Sequence, residues 1–441
     1  MPDFIKGVRL EEPPVRYRGE RILSLLEKLH EGGSSNIKDV DFMDEYLAAA
    51  VYYLFFLPAP ILAEAEHKDP RRAKQYALLR LLASSPKLSM VRRKTIADST
   101  TSTVASAVFL EHLLRELSKN SESTRSSGGS REEGVRHSNR PSMSNYMLQQ
   151  AVEKALEATH DIARQAREIK NLTARFTAGT GSILSLEDSV AEVLKLAKNT
   201  DVKIILEALR SIQDIDAYIK RRLVRSPRGE LDGYELGSDV ERIVPSELAL
   251  PYEAFSVKLA ESSLLLYRKV LPETRGPFHI LLDKSGSMMG LKIIWAKAVA
   301  IALAQRAARE RRPFMIRFFD SIPYPLMKIG KRVRGRDVVK MLEYLARIRA
   351  NGGTDITRAI LTATEDIASM KSFSQSDIVL ITDGEDKIAI DAVRRSLARV
   401  KARLHTVMVH GNNFDLKSIS TTYMTVTRLD KESALKVIVH V

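Results

Sequence analysis

The stretch FHILLDKSGSM, Phe278 to Met288, determines how the C-terminal half of this chain is interpreted. Its beginning, FHILLD, is a short and mostly apolar run, as a parallel strand needs when helices cover both of its faces. Asp283, Ser285 and Ser287 then follow at every second position, and Gly286 allows the backbone to turn tightly between them. The stretch therefore predicts a buried strand that ends in a loop of short, oxygen-bearing side chains.

Strand-like and helical patterns alternate after this stretch. The further strand-like segments are Pro313 to Asp320, Asp377 to Thr382, Leu404 to His410 and Tyr423 to Leu429. The segment Pro323 to Gly330 contains two prolines, so it can only be an edge strand. Strands that alternate with helices predict an α/β fold with a doubly wound, mostly parallel sheet. Ligands of such sheets bind at the carboxyl ends of the strands, near the point where the strand order reverses.

The half of the chain before this sheet is predicted to be all-α. Apolar residues recur at helical spacing, and no strand-like alternation is found before residue 240. The pattern predicts helices over Leu148 to Leu172, Leu186 to Ala197 and Val202 to about Leu223.

Composition divides this half into parts. Residues 118–145 are rich in Ser, Gly and Arg and nearly free of large apolar side chains, which predicts a flexible linker. We therefore expect a helical region at residues 1–117, the linker at 118–145, a second helical region with a connector at 146–275, and the sheet domain at 276–441.

One apolar segment has two interpretations. Tyr46 to Ala63 carries no charged side chain, and its length is near the lower limit for a membrane span. Pro58 and Pro60 should end a helix at about Leu57, which would leave it too short to cross a bilayer. A buried core helix is therefore favoured, and we expect no membrane span.

The N-terminus and the cysteine content favour a cytoplasmic protein. The first residues, MPDFIKGVRLEEPP, lack the basic segment followed by an apolar core that a secretory signal has. The sequence contains no cysteine, which excludes disulfides and thiolate metal sites and fits a reducing compartment.

The positive charge is unevenly distributed. The formal net charge is +14, and most of it falls from Leu271 onward. The densest basic run consists of Lys331, Arg332, Arg334, Arg336 and Lys340. Such a run is either a solvated face or a docking patch for an acidic protein surface or a nucleic acid.

Three short loops carry the candidate chemistry. They are DKSGS at 283–287, GGTD at 352–355 and TDG at 382–384, and two of them directly follow predicted strands. Hydroxyl and carboxylate oxygens are hard ligands, of the kind that Mg²⁺ prefers. The loops therefore predict a metal site at the carboxyl edge of the sheet.

The element DKSGSM at 283–288, with Gly290 and Lys292 after it, resembles the DxSxS element of the metal-ion-dependent adhesion site in von Willebrand factor A-type (VWA) domains. These domains have a Rossmann-like fold. The resemblance implies a site for one divalent ion, Mg²⁺ or alternatively Mn²⁺ or Ca²⁺, held by Asp283, Ser285, Ser287, Thr354 and Asp383. It further implies that the hydroxyls bind the ion directly or through water, that the aspartates act mostly through water, and that one position stays open for a partner's carboxylate.

A second resemblance precedes the sheet. Residues 233–249, GYELGSDVERIVPSELA, resemble the segment before the VWA domain in CoxE-like and ViaA-like proteins. Those proteins join a helical N-terminal half to a C-terminal VWA domain and work with MoxR-type AAA+ ATPases in chaperone-like maturation of enzyme complexes. The resemblance implies a non-enzymatic adaptor that grips an Asp or Glu of a partner protein.

Catalytic motifs are weak in comparison. No G-x-S-x-G surrounds Ser285 or Ser287, and Gly330-Lys331 lacks the remaining residues of a Walker A sequence. The carboxylates of residues 383–386 could suggest a two-metal hydrolase, but a hydroxyl-rich ligand set suits binding better than water activation. His279, His405 and His410 are interpreted as packed or solvated residues, and Trp295 as a core residue.

Two other classes of protein remain as alternatives. Some RNA-binding scaffolds also join a helical domain to a VWA domain, and the basic surface fits that function. No basic motif with interleaved aromatic residues accompanies it, so RNA binding is the less favoured interpretation. An extracellular adhesion protein is disfavoured because the N-terminus does not resemble a secretory signal.

Overall fold

The computed structural model describes residues 3–30, 42–64, 69–126, 145–177, 189–212, 223–272, 276–370, 375–384 and 386–440. The chain forms two compact units. The helical unit comprises Met1–Glu207 and Arg332–Ile348, and the sheet unit comprises Ala208–Lys331 and Arg349–Val441.

The helices and strands of the described residues are numbered here in chain order. The helices are α1 Pro13–His30, α2 Glu45–Phe56, α3 Pro70–Ser84, α4 Leu88–Thr95, α5 Ser99–Ser126, α6 Asn145–Phe176, α7 Val190–Ala197, α8 Thr200–Ile212, α9 Pro245–Leu248, α10 Tyr252–Ala260, α11 Leu291–Arg309, α12 Gly335–Arg347, α13 Ile356–Ser369, α14 Ile390–Arg399, α15 Phe414–Ile419 and α16 Lys431–His440. The strands are β1 Leu223–Gly237, β2 Leu264–Pro272, β3 Phe278–Asp283, β4 Phe314–Phe319, β5 Met327–Ile329, β6 Ser376–Thr382, β7 Ala402–Val409 and β8 Thr422–Val426.

Helix α2 is a buried core helix of the helical unit, as predicted. Asp44 caps its first turn by accepting a hydrogen bond of 2.8 Å from the Leu47 backbone N–H. The helix ends at Phe56, directly before Leu57 and Pro58, and Leu47, Val51 and Phe55 in it are fully buried. Among the residues that the structure describes, no helix is both long enough and apolar enough to cross a membrane.

Helix α5 continues into the segment that was predicted to be a linker. The Ser118 hydroxyl donates to the Leu114 carbonyl at 2.9 Å, and Lys119 pairs with Glu116 at 2.9 Å. Such contacts within one helix can stabilise a polar segment. The linker therefore begins later than residue 118, where the change in composition placed it. The rest of the predicted linker, residues 127–144, lies outside the described residues.

Helix α12 belongs to the helical unit, although it follows the first strands of the sheet in the chain. It contacts α6 and α7. Its buried residues Val338, Met341, Leu342 and Leu345 recur at helical spacing, which gives it one continuous apolar face.

The sheet unit contains the predicted six-stranded, mostly parallel sheet. Its strand order is β5-β4-β3-β6-β7-β8, and β5 is the antiparallel edge strand that the two prolines required. Strand β3 lies between β4 and β6 and is parallel to both, so the strand order reverses beside it. The predicted fold class, a helical N-terminal half followed by a mostly parallel α/β sheet, is confirmed, and the reversal creates a switch point at the carboxyl end of β3.

The core of this sheet explains its apolar runs. All residues of β3 and β6 are buried, as expected for central strands with helices on both faces. Helix α11 is buried along most of its length, and Trp295 on it is 5% exposed, which confirms its interpretation as a core residue.

The prediction of a strand-free region before residue 240 is wrong. Strand β1 begins at Leu223, where a helix was expected to end, and pairs with β2 in a separate antiparallel sheet. The register shifts between Arg225 and Glu230 and again between Leu231 and Tyr234. Such irregularities interrupt the alternation of apolar and polar side chains, so the sequence of β1 does not show the period of a strand.

Candidate metal site

The two central strands bring two buried aspartates to one edge of the sheet. Asp283 is the last residue of β3, and Asp383 follows Thr382, the last residue of the neighbouring parallel strand β6. Asp283 is fully buried, and the side chain of Asp383 is 3% exposed. Two residues that are 100 positions apart in the sequence therefore meet, because parallel neighbours end at the same edge.

A continuous chain of hydrogen bonds joins these aspartates through the two serines. The Ser285 backbone N–H donates to Asp283 Oδ1 at 2.8 Å. The hydroxyls of Ser285 and Ser287 are hydrogen-bonded at 3.1 Å, and the Ser287 hydroxyl donates to Asp383 Oδ1 at 2.7 Å. Four of the five predicted ligands thus form one cluster.

Thr354 lies beside this cluster without joining it. In the part of the chain that the structure describes, no hydrogen bond connects its side chain to the other four residues. A Cβ atom added to Gly384 would be 3.0 Å from Thr354 Cγ2 and 3.5 Å from Asp283 Oδ2. The threonine and Asp283 therefore flank the same glycine, and a side chain at position 384 would crowd both.

The threonine loop is fixed to the serine loop by backbone contacts. The Gly286 N–H donates to the Gly352 carbonyl at 3.0 Å, and the Asn351 N–H donates to the Lys284 carbonyl at 2.6 Å. Gly352 has a φ of +99°, and a Cβ atom there would lie 2.8 Å from Asp320 Oδ2. A glycine is thus required at this position for both backbone and steric reasons.

Two residues near the cluster were not predicted to have a role in it. The Thr382 hydroxyl donates a hydrogen bond to Asp283 Oδ2, and it also accepts one of 2.9 Å from the Gly384 N–H. Lys292, in the first turn of α11, pairs with Asp383 Oδ2 at 2.6 Å. Both residues lie in the quoted motifs, so their positions were visible in the sequence although their partners were not.

Lys284 is a third residue for which no role was predicted, and it connects the loops around the cluster through buried contacts. Its buried ammonium group is 2.9 Å from Asp320 Oδ2, donates to the Asn351 carbonyl at 2.9 Å and lies over the ring of Tyr324. The Asp320 carbonyl accepts from the Asp355 N–H at 3.0 Å. The loops after β3 and β4 and the threonine loop are therefore held together by buried polar contacts.

The electrostatics of the cluster favour an added cation. Burial raises the pKa of Asp283, and the charge of Asp383 acts in the same direction, while hydrogen bonds from Thr382 and Ser285 oppose the shift. A metal ion near Asp283 and Asp383 would add positive charge to that of Lys292. It would offset both the cost of burying the two carboxylates and their mutual repulsion.

The donor set fits a hard divalent ion. In the described ranges, no group of three or more His, Cys, Asp or Glu side chains is placed to hold a metal. A metal at this edge would therefore depend on serine and threonine hydroxyls in addition to Asp283 and Asp383. Such oxygen donors, with water in the remaining positions, suit Mg²⁺.

The histidines of the sheet are packed away from this cluster or exposed. His279 is fully buried with its Nε2 atom 2.9 Å from Asp366, and His405 is 3.3 Å from Asp377. His410 is exposed. The interpretation of all three as packed or solvated residues is confirmed.

The basic run is exposed around the start of α12. In the helical unit, Arg332, Arg334, Arg336 and Lys340 are all exposed. Val338, which lies between them in the sequence, is buried, so the cations occupy the outer face of the helix. Both earlier interpretations, a solvated face and a docking patch, are compatible with this position.

The sequence of the sheet unit matches a known family. Residues 261–413 match the model of the family described as "VWA domain containing CoxE-like protein". The matched range includes all five predicted ligands. With the strand order described above, it supports a CoxE-like VWA protein, and VWA domains are generally non-catalytic modules for protein interaction.

Two relatives with sequence similarity are uncharacterized proteins of Methanocaldococcus jannaschii. One is 28% identical over 303 residues, which cover 65% of this chain and 68% of the relative. The other is 24% identical over 288 residues, which cover 61% of this chain and 71% of the relative.

Similar solved structures include the conserved hypothetical protein BatB from Bacteroides thetaiotaomicron, with a TM-score of 0.30, 19% identity and coverage of 37% of this chain and 96% of that one. A von Willebrand factor type A protein from Catenulispora acidiphila has a TM-score of 0.32, 18% identity and coverage of 38% and 43%. Proximal thread matrix protein 1 from the mussel byssus, with zinc in its MIDAS motif, has a TM-score of 0.31, 14% identity and coverage of 38% and 48%.

Proposed function

We propose that this chain is a cytoplasmic, non-enzymatic adaptor that binds Mg²⁺, or alternatively Mn²⁺ or Ca²⁺, and uses the ion to grip an Asp or Glu of a partner protein. The ion would be held by Asp283, Ser285, Ser287, Thr354 and Asp383. The observation that carries the proposal is the chain of hydrogen bonds from Asp283 through both serines to Asp383, whose carboxylate is also paired with the ammonium group of Lys292.

The position of the cluster supports binding of a macromolecule. Gly286 and Ser287 are exposed, so the serine loop is open to solvent, while the side chains of Asp283 and Asp383 behind it are buried. A bound ion would supply one coordination position for the partner's carboxylate. That contact would be directional and partly desolvated, so it should contribute more than the 0–1 kcal/mol that is typical of an exposed ion pair, about 2 kcal/mol or more.

A MoxR-type AAA+ ATPase is the partner that the family match favours. The match to CoxE-like proteins and the resemblance of residues 233–249 both support it. In this segment Arg242 pairs with Asp239 at 2.7 Å and also with Glu235, which makes it an ordered connector before the VWA domain. We infer that the helical half contacts the ATPase or its client during chaperone-like maturation of a complex.

The test is an affinity pull-down from the native cell extract, read by mass spectrometry in Mg²⁺ and in EDTA. Wild type is compared with Asp283→Ala and with Glu365→Ala, a control at an exposed carboxylate of α13 about 15 Å along the helix from Asp355. We expect an AAA+ ATPase to be enriched in Mg²⁺ by wild type and by the control, and to be lost with EDTA and with Asp283→Ala.

A parallel arm treated with nuclease tests the RNA-scaffold alternative. The adaptor function requires that the same partner protein is recovered after nuclease treatment. Recovered proteins that are lost after nuclease treatment but are unaffected by Asp283→Ala would contradict the proposal and favour RNA binding through the basic surface.

A further inference from the structure

Four large apolar side chains are exposed around the candidate metal site. Met289 is 68% exposed, Leu291 73%, Ile322 52% and Phe414 77%. Single exposed apolar residues are common on protein surfaces, but a group of them around a polar centre is typical of an interaction site. These four residues are called the apolar rim below.

Met289 and Leu291 form the side of the rim next to the serine loop. The Met289 N–H donates to the Gly286 carbonyl at 3.3 Å, so its backbone is part of the turn that presents Ser287. Leu291 directly precedes Lys292, whose ammonium group is bonded to Asp383. Both apolar side chains therefore belong to the segment that carries two of the proposed ligands.

Ile322 lies on the loop after β4, next to the threonine loop. Its N–H donates to Asp320 Oδ1 at 2.9 Å, and the Asp320 carbonyl accepts from the Asp355 N–H. A Cβ atom on Gly353 would be 2.7 Å from the hydroxyl of Ser321. Ser321, which precedes Ile322, therefore lies against Gly353, which precedes Thr354.

Phe414 is the first residue of α15, the helix that follows β7. The preceding residue, Asn413, donates from its side chain to the Asp386 carbonyl at 2.9 Å. A Cβ atom on Gly411 would be 2.9 Å from the Asp383 carbonyl. The loop that leads to Phe414 is therefore packed against the TDG loop, and β7, which it follows, lies on the opposite side of β3 from β4, which precedes Ile322.

The size of the rim matches one short peptide segment. Its residues follow β3, β4 and β7, which with β6 are neighbours in the sheet, and strands are spaced by about 4.8 Å. The loops therefore span about 14 Å, which an extended peptide covers with about five residues at roughly 3.3 Å each.

We propose that the apolar rim selects a partner segment in which an Asp or Glu is flanked by large apolar residues. The inference rests on the proposed function, since the acidic residue would occupy the open position at the metal. The carboxylate matches the central cation, and the flanking side chains would be removed from water against Leu291, Met289, Ile322 and Phe414. Truncation of one rim side chain should weaken binding about tenfold, as expected for the loss of one buried apolar contact.

The first part of the test identifies the recognised sequence. Random heptapeptides displayed on phage are selected on the immobilised full-length chain in Mg²⁺ and eluted with EDTA. We expect the eluted peptides to carry Asp or Glu with Leu, Ile, Met or Phe within about three positions. The same selection on Leu291→Ser/Phe414→Ser should still enrich acidic residues but lose the apolar neighbours.

The second part measures affinities. An enriched peptide, made synthetically with a fluorophore, is titrated by fluorescence polarisation against Leu291→Ser, Phe414→Ser and a matched control, Val439→Ser. Val439 is also an exposed apolar residue, at 43%, but it follows Ile438, whose carbonyl accepts from Arg306 at the far end of α11. We expect about a tenfold loss for each rim variant, no loss for the control, and unchanged Mn²⁺ affinity by calorimetry for all three.

The outcomes separate the rim from the metal site. Two outcomes contradict the proposed role of the apolar rim but not metal-dependent binding of a carboxylate. In one, the EDTA-eluted peptides are acidic without apolar neighbours; in the other, the rim variants bind the peptide as well as wild type. Rim variants that lose Mn²⁺ binding also contradict that role, since they would then act on the site itself. Peptides that EDTA does not release, together with no measurable binding of Mn²⁺ by wild type, contradict the proposed function as well.

Discussion

Two aspartates with buried side chains lie at opposite ends of strand β6, and their surroundings are opposite in charge. Asp377, the second residue of the strand, lies at the amino edge of the sheet. Arg312 contacts its carboxylate at 2.7 Å, Arg403 at 2.8 Å and His405 at 3.3 Å. Asp383 lies just past the other end, together with Asp283, and Lys292 is the cation paired there.

The pKa values of Asp377 and Asp283, which lie at the two edges, are shifted in opposite directions. Burial by itself would raise the pKa of Asp377, but the hydrogen bond from His405 and the charges of Arg312 and Arg403 hold it far below its usual range. At the carboxyl edge burial dominates and raises the pKa of Asp283.

The difference shows how one sheet uses buried charge for two purposes. At the amino edge two arginines surround one carboxylate, so the protein supplies all the positive charge that the site needs. At the carboxyl edge two carboxylates belong to one cluster, and Asp383 is paired with Lys292, whose side chain is 29% exposed. The first arrangement stabilises the fold, and the second leaves negative charge that a metal ion from solution can balance.

The largest expected effect comes from breaking the amino edge. Asp377→Asn should lower the free energy of unfolding at pH 7 by about 3–5 kcal/mol, because it removes the carboxylate that is shared by buried Arg312 and partly exposed Arg403. Urea unfolding followed by circular dichroism measures this loss. Glu365→Gln, at an exposed position on α13, should change the value by less than about 0.5 kcal/mol.

The same variant should show a defined pH dependence. Since the folded-state pKa of Asp377 is depressed, its stabilising contribution is present above the ordinary value of 3.8 and is lost as the pH falls towards the folded-state pKa. The difference between wild type and Asp377→Asn should therefore shrink below about pH 4. A difference that stays constant down to pH 2 would contradict the charge-based explanation.

The second effect breaks the carboxyl edge. If the proposed site binds Mg²⁺, wild type should melt at a higher temperature in Mg²⁺ than in EDTA. Asp283→Asn should weaken Mg²⁺ binding by about 100-fold, or about 2.7 kcal/mol, and should abolish that difference. In EDTA its stability should stay within about 1 kcal/mol of wild type, since the raised pKa means that the ionised carboxylate does not stabilise the metal-free fold. A large loss of stability in EDTA would instead make Asp283 a structural residue like Asp377.

The sequence predicted the carboxyl edge better than the amino edge, and the reason is local. The motifs DKSGS and TDG place hydroxyls and carboxylates directly after buried apolar runs, so their position at the strand ends could be inferred. Asp377 is only the last polar residue before an apolar run, and its partners come from elsewhere in the chain, Arg312 from just before β4 and Arg403 from β7. Such a cluster depends on which strands are neighbours, and the sequence pattern does not contain that information.

Long-range contacts limited the prediction of the site itself. Thr382 and Lys292 were both within the recognised motifs, but each bonds to an aspartate more than 90 positions away. The fold class could be predicted because the sheet depends on periodic apolar residues. Strand β1 could not, since its register shifts break that period.

The third effect sharpens the carboxyl edge. Lys292→Met should bind Mg²⁺ more tightly, on the order of tenfold or 1.4 kcal/mol, because the ion would no longer compete with an ammonium group for Asp383. Calorimetric titration with Mg²⁺ measures the change. Lys387→Met is the control, since Lys387 is exposed and close to the TDG loop but forms no ion pair in the described part of the chain. Weaker binding in Lys292→Met would mean that the lysine orients Asp383 for the metal.

The smallest effect concerns Thr354, the one predicted ligand outside the hydrogen-bonded cluster. Thr354→Val keeps the methyl group that lies next to Gly384 and removes only the hydroxyl. If that hydroxyl contributes to the metal site, Mg²⁺ affinity should fall about threefold, or about 0.7 kcal/mol, with no change in stability in EDTA. Thr362→Val is the matched control, since that hydroxyl is bonded to the Arg358 carbonyl on α13. Unchanged affinity in Thr354→Val would restrict the ligand set to the four residues that already form one cluster, and the threonine would then serve only to pack against the glycine between itself and Asp283.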